Sequence, residues 1–424
     1  MPEQPHEPPT LRTRAGLART NRGRRMKIRI ASLAAVGAGS RWALVVAFVL
    51  LAGCQGLQRE PAHKAVAYRP DFNRAVFLEN VAETTANASI GDLDGDGDPD
   101  IVLAKGRHWP LHDLVLLNDG HGHFDDRHAL DATADRSYTA ALADLDGDGD
   151  LDLAVGNDRP DTKRIYFNDG HGHFTQASTF GEANWSTRNI TLADLNGDHR
   201  ADIIVANRGG PHNLSKNQVC LNDGGGRFPS CVVLSGESAT TIAAADFDGN
   251  GTIDLVVPHR DGGQSYIFPN DGTGHFNTKQ PIGPAKSATR AVAVGDLDGN
   301  GLPDLIMGDD QGGALIYLNQ GQGRFPAPIA AGDENDDVYS IATADLNGDG
   351  SIDMVLGNQA TPGVVLINRG DGRSFQNIRF GDGAGAMYGL AIGDMTGDDC
   401  PDIVAARSGA PSALYVNSCR PKEN

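Results

Sequence analysis

One acidic nonapeptide recurs seven times, and no other feature limits so tightly what this chain can fold into. It reads Asp92-Leu-Asp-Gly-Asp-Gly-Asp-Pro-Asp100, Asp144-Leu-Asp-Gly-Asp-Gly-Asp-Leu-Asp152, Asp194-Leu-Asn-Gly-Asp-His-Arg-Ala-Asp202, Asp246-Phe-Asp-Gly-Asn-Gly-Thr-Ile-Asp254, Asp296-Leu-Asp-Gly-Asn-Gly-Leu-Pro-Asp304, Asp345-Leu-Asn-Gly-Asp-Gly-Ser-Ile-Asp353 and Asp394-Met-Thr-Gly-Asp-Asp-Cys-Pro-Asp402. The starts lie 52, 50, 52, 50, 49 and 49 residues apart. So regular a period marks a solenoid or a propeller.

A second pattern follows the first six copies: Asn118–Phe124, Asn168–Phe174, Asn222–Phe228, Asn270–Phe276, Asn319–Phe325 and Asn368–Phe375, each close to Asn-x-Gly-x-Gly-x-Phe. Asn-Asp-Gly supplies residues that tolerate positive φ, which predicts a hairpin turn. Between the patterns lie short apolar runs, such as Ala140–Ala143, Leu151–Val155 and Ile165–Phe167, and no helical period of useful length. With the stretch that opens at Phe174, each unit reads as four short strands. Four strands per unit, seven times, is the arithmetic of a seven-bladed β-propeller. The seventh unit stops after Leu414-Tyr-Val416, one strand short, and a spare strand, about Arg74–Leu78, precedes the first loop. That strand is expected to complete the last blade and close the ring, removing exposed edges.

The acidic loop and the turn together resemble the FG-GAP/VCBS repeat family, the blades of integrin α-subunit heads and of many bacterial surface proteins. The resemblance spans about residues 71–419. It implies an all-β fold: a seven-bladed β-propeller with Ca²⁺-binding loops, closed by an N-terminal strand. It speaks to fold far more than to activity, because one fold hosts many functions.

Ca²⁺ takes six to eight oxygens, and oxygens at alternate positions of a tight loop can converge on one point. In the family, side chains one, three, five and nine bind, with the carbonyl of position seven. Carried over, this implies Asp92, Asp94, Asp96 and Asp100 with Asp98 at position seven, and Asp144, Asp146, Asp148 and Asp152 with Asp150. The further loops offer Asp194, Asn196, Asp198 and Asp202; Asp246, Asp248, Asn250 and Asp254; Asp296, Asp298, Asn300 and Asp304; Asp345, Asn347, Asp349 and Asp353; and Asp394, Asp398 and Asp402. Position twelve is Leu103 in the first copy and Val155 in the second. An EF-hand needs a bidentate Glu there, so that reading is rejected. The third loop carries His199 where a turn Gly is usual and Arg200 at position seven; the seventh carries Thr396, Asp399 and Cys400. Weak or empty sites are expected at these two. Ca²⁺ is expected to be structural.

The chain has 36 Lys plus Arg and 55 Asp plus Glu, a net charge of −19. Phosphate backbones need a basic face, so nucleic acid is not expected as a partner. The balance is uneven. Residues 1–53 hold nine basic and two acidic residues, leaving a body at −26. After that basic head, Trp42–Gly53 is uncharged, too short for a comfortable membrane span and suited to a signal sequence. Leu51-Ala-Gly-Cys54 looks like a bacterial lipobox, which implies cleavage before Cys54 and lipidation of its thiol. Met26 offers an alternative start, and Gln55 favours an outer-membrane lipoprotein, periplasmic or surface-facing. The expected organisation is a leader at 1–53, a linker at 54–70 and the propeller at 71–420, anchored to the membrane by lipid alone and acting as a monomer.

Four cysteines remain. Cys220 and Cys231 flank the Asn222–Phe228 turn, and Cys400 and Cys419 lie in the last unit; two disulfides suit an exported protein. His121, His123, His171 and His173 read as decoration of exposed turns.

No Gly-x-Ser-x-Gly, His-Glu-x-x-His or Walker loop occurs in the mature chain. The segments that reach the end opposite the acidic loops hold Trp109, Tyr138, Trp185, Arg188, Arg208, Arg260, Arg290, Tyr339 and Tyr388. Aromatic faces beside Arg, Asn and Asp suit a sugar. The leading expectation is a binding module for a glycan or a surface protein. The alternatives are a polysaccharide lyase or hydrolase on the same propeller, and a scaffold in an envelope assembly.

Overall fold

A computed structural model describes residues 68–209, 215–309 and 312–421. Cys54 and the leader lie outside these residues. The described residues form strands and turns without a helix, so no helix there is long and apolar enough to cross a membrane. Seven four-stranded antiparallel sheets account for all but two of the strands. In the first sheet the order is Thr85–Gly91, Asp100–Lys105, Leu114–Leu117, Asp126–Ala129. The first strands of the other blades are Ser137–Ala143, Thr187–Ala193, Ala243–Ala245, Thr289–Gly295, Val338–Ala344 and Ala386–Gly393. Each touches the first strands of the blades before and after it, around a closed ring. These strands therefore line the axis.

The fourth place in the seventh sheet is taken by Arg74–Phe77, antiparallel to Ala413–Val416. A further pair, Tyr68–Arg69 against Arg420–Pro421, fastens the two ends of the propeller to each other. Cys400–Cys419 is a disulfide in the same region, and Cys220–Cys231 joins direct cross-strand partners.

The second strand of each blade carries an unbroken apolar run, as in Ile101-Val-Leu-Ala104, because it is covered on both faces. All six residues of Asp100–Lys105 are buried, as are all six of Asp152–Asn157 and Asp202–Asn207. Such strands lose the polar alternation of a one-sided sheet. The core has no hub. Seven apolar clusters each bridge two neighbouring blades, for example Val102, Ala104 and Val115 against Leu153, Val155 and Tyr166. The ring is closed by Ile101, Leu103 and Leu116 against Val404, Ala406 and Leu414.

The turn pattern does more than reverse the chain. Positive φ falls on its glycines, as at Gly120 (75°) and Gly122 (74°), and in the fifth copy also on Gln322 (59°). The Asn is buried instead. Asn168 Nδ2 donates to the carbonyl of Leu93, in the preceding blade, at 2.8 Å. Asn222 does the same to Leu145, Asn270 to Leu195, Asn319 to Phe247, Asn368 to Leu297 and Asn417 to Leu346. Each acceptor is the second residue of an acidic loop. The repeat thus carries its own inter-blade bond, and Asn417 supplies it in the seventh unit, where no turn pattern follows.

Candidate functional site

Each first strand runs into its acidic loop, so the seven loops share one end of the propeller. In the first loop, Asp92 accepts the main-chain amides of Gly95 (2.8 Å) and Gly97 (3.2 Å), and Asp96 accepts that of Asp98 (2.9 Å). The ninth carboxylate is wholly buried: Asp100 accepts Leu93 N and Asn118 N, both at 2.8 Å. The same pair of bonds recurs at Asp152, Asp202, Asp254, Asp304, Asp353 and Asp402.

This scaffold gathers carboxylates. One oxygen each of Asp92, Asp94 and Asp96 lies within 4.8 Å of the others, as do those of Asp144, Asp146 and Asp152, of Asp246, Asp248 and Asp254, and of Asp296, Asp298 and Asp304. Burial, with the charges of Asp94 and Asp96 adding to it, pushes Asp100 up to about 6. Asp94 and Asp146 are raised as well, first by burial. Crowded, desolvated carboxylates are unfavourable alone. An all-oxygen donor set at this spacing fits a hard divalent cation. These four clusters could hold a metal ion.

Asp98 and Asp150 stand apart from the clusters. Their carboxylates pack over Gly120 and Gly170, where any added Cβ would meet them. At position three, Asn196 and Asn347 offer Oδ1 to the amides of Asp198 and Asp349. At position five, Asn250 and Asn300 serve Thr252 and Leu302. The aberrant loops keep the shared backbone: His199 (φ 65°) and Asp399 (φ 63°) adopt the left-handed turn that glycine takes elsewhere. Asp194 and Asp394 still accept their amides, at 2.8 and 2.7 Å. In the third loop the Arg200 guanidinium lies 2.5 Å from Asp198.

At the other end, where the first strands begin, a cavity of about 250 Å³ opens on the axis. One device builds it. In six first strands the pairing register slips at one residue: Ala86, Tyr138, Arg188, Arg290, Tyr339 and Tyr388 are each skipped. A β-bulge re-aims its residue, and all six line the cavity, joined by Thr240 from the blade with the shortest first strand. Every one stands six residues before its acidic loop. Loops after the second strands add Arg107, His108, Arg208 and Arg260.

Tyrosines and guanidiniums interleave here. Arg107 lies 3.6 Å over the Tyr388 ring, Arg188 4.3 Å over Tyr138 and Arg290 4.9 Å over Tyr339. Tyr339 and Tyr388 meet edge to face at 5.1 Å. Asp158 holds Arg188 at 2.8 Å. His108 approaches the Tyr138 hydroxyl at 3.2 Å. Burial, helped by the charges of Arg107 and Arg188, lowers the His108 pKa, and burial raises that of Tyr138.

Of the nine residues that the sequence assigns to this face, seven line the cavity. The two tryptophans do not. Trp185 covers Gly181 and packs with the core between blades two and three. Trp109 is 69% exposed, on the same loop as Arg107. Arg107 and His108 were missed; Arg107 takes a left-handed φ of 53° two residues before the conspicuous Trp. His121, His123, His171 and His173 stay at exposed turns.

A profile of the FG-GAP-like repeat matches residues 92–155, 144–205, 246–307, 296–356 and 345–405. The chain belongs to the FG-GAP repeat family. Against curated protein sequences this FG-GAP propeller finds no match. Among solved structures it is similar to the BP39L lectin from Burkholderia pseudomallei, with TM-score 0.60 and 14% identity over 80% of this chain and 98% of that one. It is similar to an Agrocybe aegerita lectin that recognises non-reducing terminal N-acetylglucosamine, with TM-score 0.53 and 19% identity over 77% and 87%. It is also similar to BBS1N, solved in complex with ARL6DN, with TM-score 0.56 and 13% identity over 85% and 100%. At these identities the likeness concerns the fold.

Proposed function

We propose that this FG-GAP propeller is a glycan-binding module whose ligand sits in the axial cavity, with Ca²⁺ in the acidic loops as structural support. The observation that carries the reading is the cavity itself: one repeat position, re-aimed in blade after blade, meets at one point and supplies tyrosines and arginines there. Convergent polar groups around a concave seat are what a small-ligand site requires. A cavity of about 250 Å³ is slightly below the ~300–1,000 Å³ of common ligand clefts, which suits one terminal sugar unit. The two lectin neighbours support the reading. In the same reading the chain is exported and held at the bacterial envelope by a lipid on Cys54.

Ca²⁺ would be held by Asp92, Asp94, Asp96 and Asp100 and their counterparts in the second, fourth and fifth loops. Bound there, it neutralises the gathered carboxylates and stiffens each loop.

The test is retention of the full chain on an immobilised glycan panel, alongside Tyr388→Ala. Retention that the variant abolishes, at an unchanged melting temperature, is expected. Binding that survives Tyr388→Ala and Arg290→Gln would move the site elsewhere. One contact favours a catalytic reading: an imidazole lowered in pKa beside the Tyr138 hydroxyl. New chain ends in the same incubations would establish it.

A further inference from the structure

The axial cavity is not uniformly lined. Tyr138, Tyr339 and Tyr388 come from the second, sixth and seventh blades, while Arg188, Arg208, Arg260 and Arg290 come from three successive blades, the third to the fifth. The wall from blades three to five is therefore rich in guanidinium, while Arg107 of the first blade lies among the tyrosines opposite, 3.6 Å over Tyr388. Among the described residues, the lining contains no carboxylate. This stands out in a chain of net charge −19.

The carboxylates behind the wall are engaged unevenly. Asp158 holds Arg188 at 2.8 Å, but Asp261 stands 3.7 Å from Arg260 Nε, beyond hydrogen-bond reach. The Nε–H groups of Arg107 and Arg260 are buried without any hydrogen-bond acceptor, as is the hydroxyl of Thr240, another lining residue. Arg107, Arg260 and Thr240 thus bring unmet donors to this cavity. Its charges also work against one another. Burial, then the charges of Arg290 and Arg208, pull Arg260 down to about 10, against the pull of Asp261. An oxyanion placed between these groups would supply acceptors and relieve the repulsion together. Guanidinium forks match carboxylate and sulfate geometry.

We propose that the ligand of the axial cavity is an acidic sugar, its ring beside Tyr138, Tyr339 and Tyr388 and its carboxylate or sulfate group among Arg188, Arg208, Arg260 and Arg290. This rests on the glycan reading above and sharpens it.

The experiment uses the full chain and three probes in calorimetric titrations: a hyaluronan tetrasaccharide, its fully methyl-esterified form and a sulfated neutral tetrasaccharide. The ester keeps the same sugar skeleton and removes the charge. The acid is expected to bind at least tenfold more tightly than its ester, since a hydrogen bond to a charged partner is worth about one to two powers of ten. Arg208→Gln and Arg290→Gln, at unchanged melting temperature, should each erase most of that preference. Preference for the sulfated probe over the uronate would assign the oxyanion as sulfate. Equal binding of acid and ester, insensitive to both substitutions, would overturn the acidic-sugar proposal and leave the glycan reading standing. Failure of all three probes and of the neutral panel, with retention on an acidic peptide, would overturn both. Should either variant unfold, competition of the acid by inorganic sulfate on the unaltered chain decides the same point: no competition at a large excess counts against the proposal.

Discussion

Asn118 Nδ2 donates to the carbonyl of Met395 at 3.0 Å, so a side chain of the first blade is bonded to the acidic loop of the last. The same Asn takes the second bond of its blade through its amide, which Asp100 accepts at 2.8 Å. One residue therefore links its own loop to that of the neighbour, and around the ring this happens seven times. Asn118→Ala should leave the buried Met395 carbonyl without its partner and cost about 1–3 kcal/mol. Asn222→Ala should cost a similar amount, because the bond to Leu145 is equivalent. Urea denaturation of both variants checks this. A change within error at both positions would mean that the blades are held by apolar packing alone.

That bond also shows where sequence reasoning stops. The repeat period, the strand count and the spare N-terminal strand were legible because each is a local pattern or an arithmetic consequence of one. The Asn was legible only as a turn former, since its partner lies 71 to 77 residues back in the preceding blade, or 277 residues ahead for Asn118. The axial cavity was half legible. Tyr138, Arg188, Arg290, Tyr339 and Tyr388 share one repeat position, and aligning the copies on their loops adds Ala86 and Thr240 at once. Trp109 and Trp185 have the chemistry of a sugar platform, but packing overrides it for Trp185, whose ring covers Gly181. Arg107 and His108 follow a second strand as Arg208 and Arg260 do, so the segment was legible and only the choice of residue within it was not.

The third loop carries its own cation. Arg200 lies 2.5 Å from Asp198 and donates to the Asn222 carbonyl at 3.1 Å, within the loop that the other copies fill with carboxylates. A guanidinium so placed offsets the charge that would draw a metal. The unaltered chain should therefore bind no Ca²⁺ at this loop. Replacing His199→Gly and Arg200→Asp together should add one equivalent in equilibrium dialysis. An unchanged stoichiometry would show that Asn196 at position three, not the arginine, disables the site.

Asp113 is a buried carboxyl far from the acidic loops in function. It accepts the Lys105 amide at 2.7 Å and the Ser137 hydroxyl at 2.8 Å. Burial, with Asp135 and Asp131 adding to it, pushes it from an ordinary 3.8 up to about 7. Its folded pKa is above its unfolded one, so folding favours the protonated form. That contribution is complete below about 4 and is lost as pH rises through about 7. In the third blade, Asn217 serves the equivalent role, with Oδ1 accepting the Asn207 amide at 2.8 Å. Asp113→Asn should thus match the unaltered chain near pH 4 and exceed it in melting temperature at pH 8. Loss of stability at both pH values would assign a required negative charge to the site.

Trp185 and Tyr388 separate packing from recognition. Trp185 lies over Gly181, where its ring leaves no room for a side chain, and joins the core between the second and third blades. Tyr388 is skipped by its strand's register and stands in the cavity under Arg107. Trp185→Ala should lower the melting temperature, with a stability cost below the ~3–5 kcal/mol of a wholly buried aromatic, and leave glycan retention intact once folded. Tyr388→Ala should do the opposite, removing retention while the melting temperature stays within about two degrees. Paired thermal melts and binding titrations on the two variants read both quantities. Reversed results, with Trp185 needed for retention and Tyr388 for stability, would place the ligand over the second and third blades and empty the axial cavity of its role.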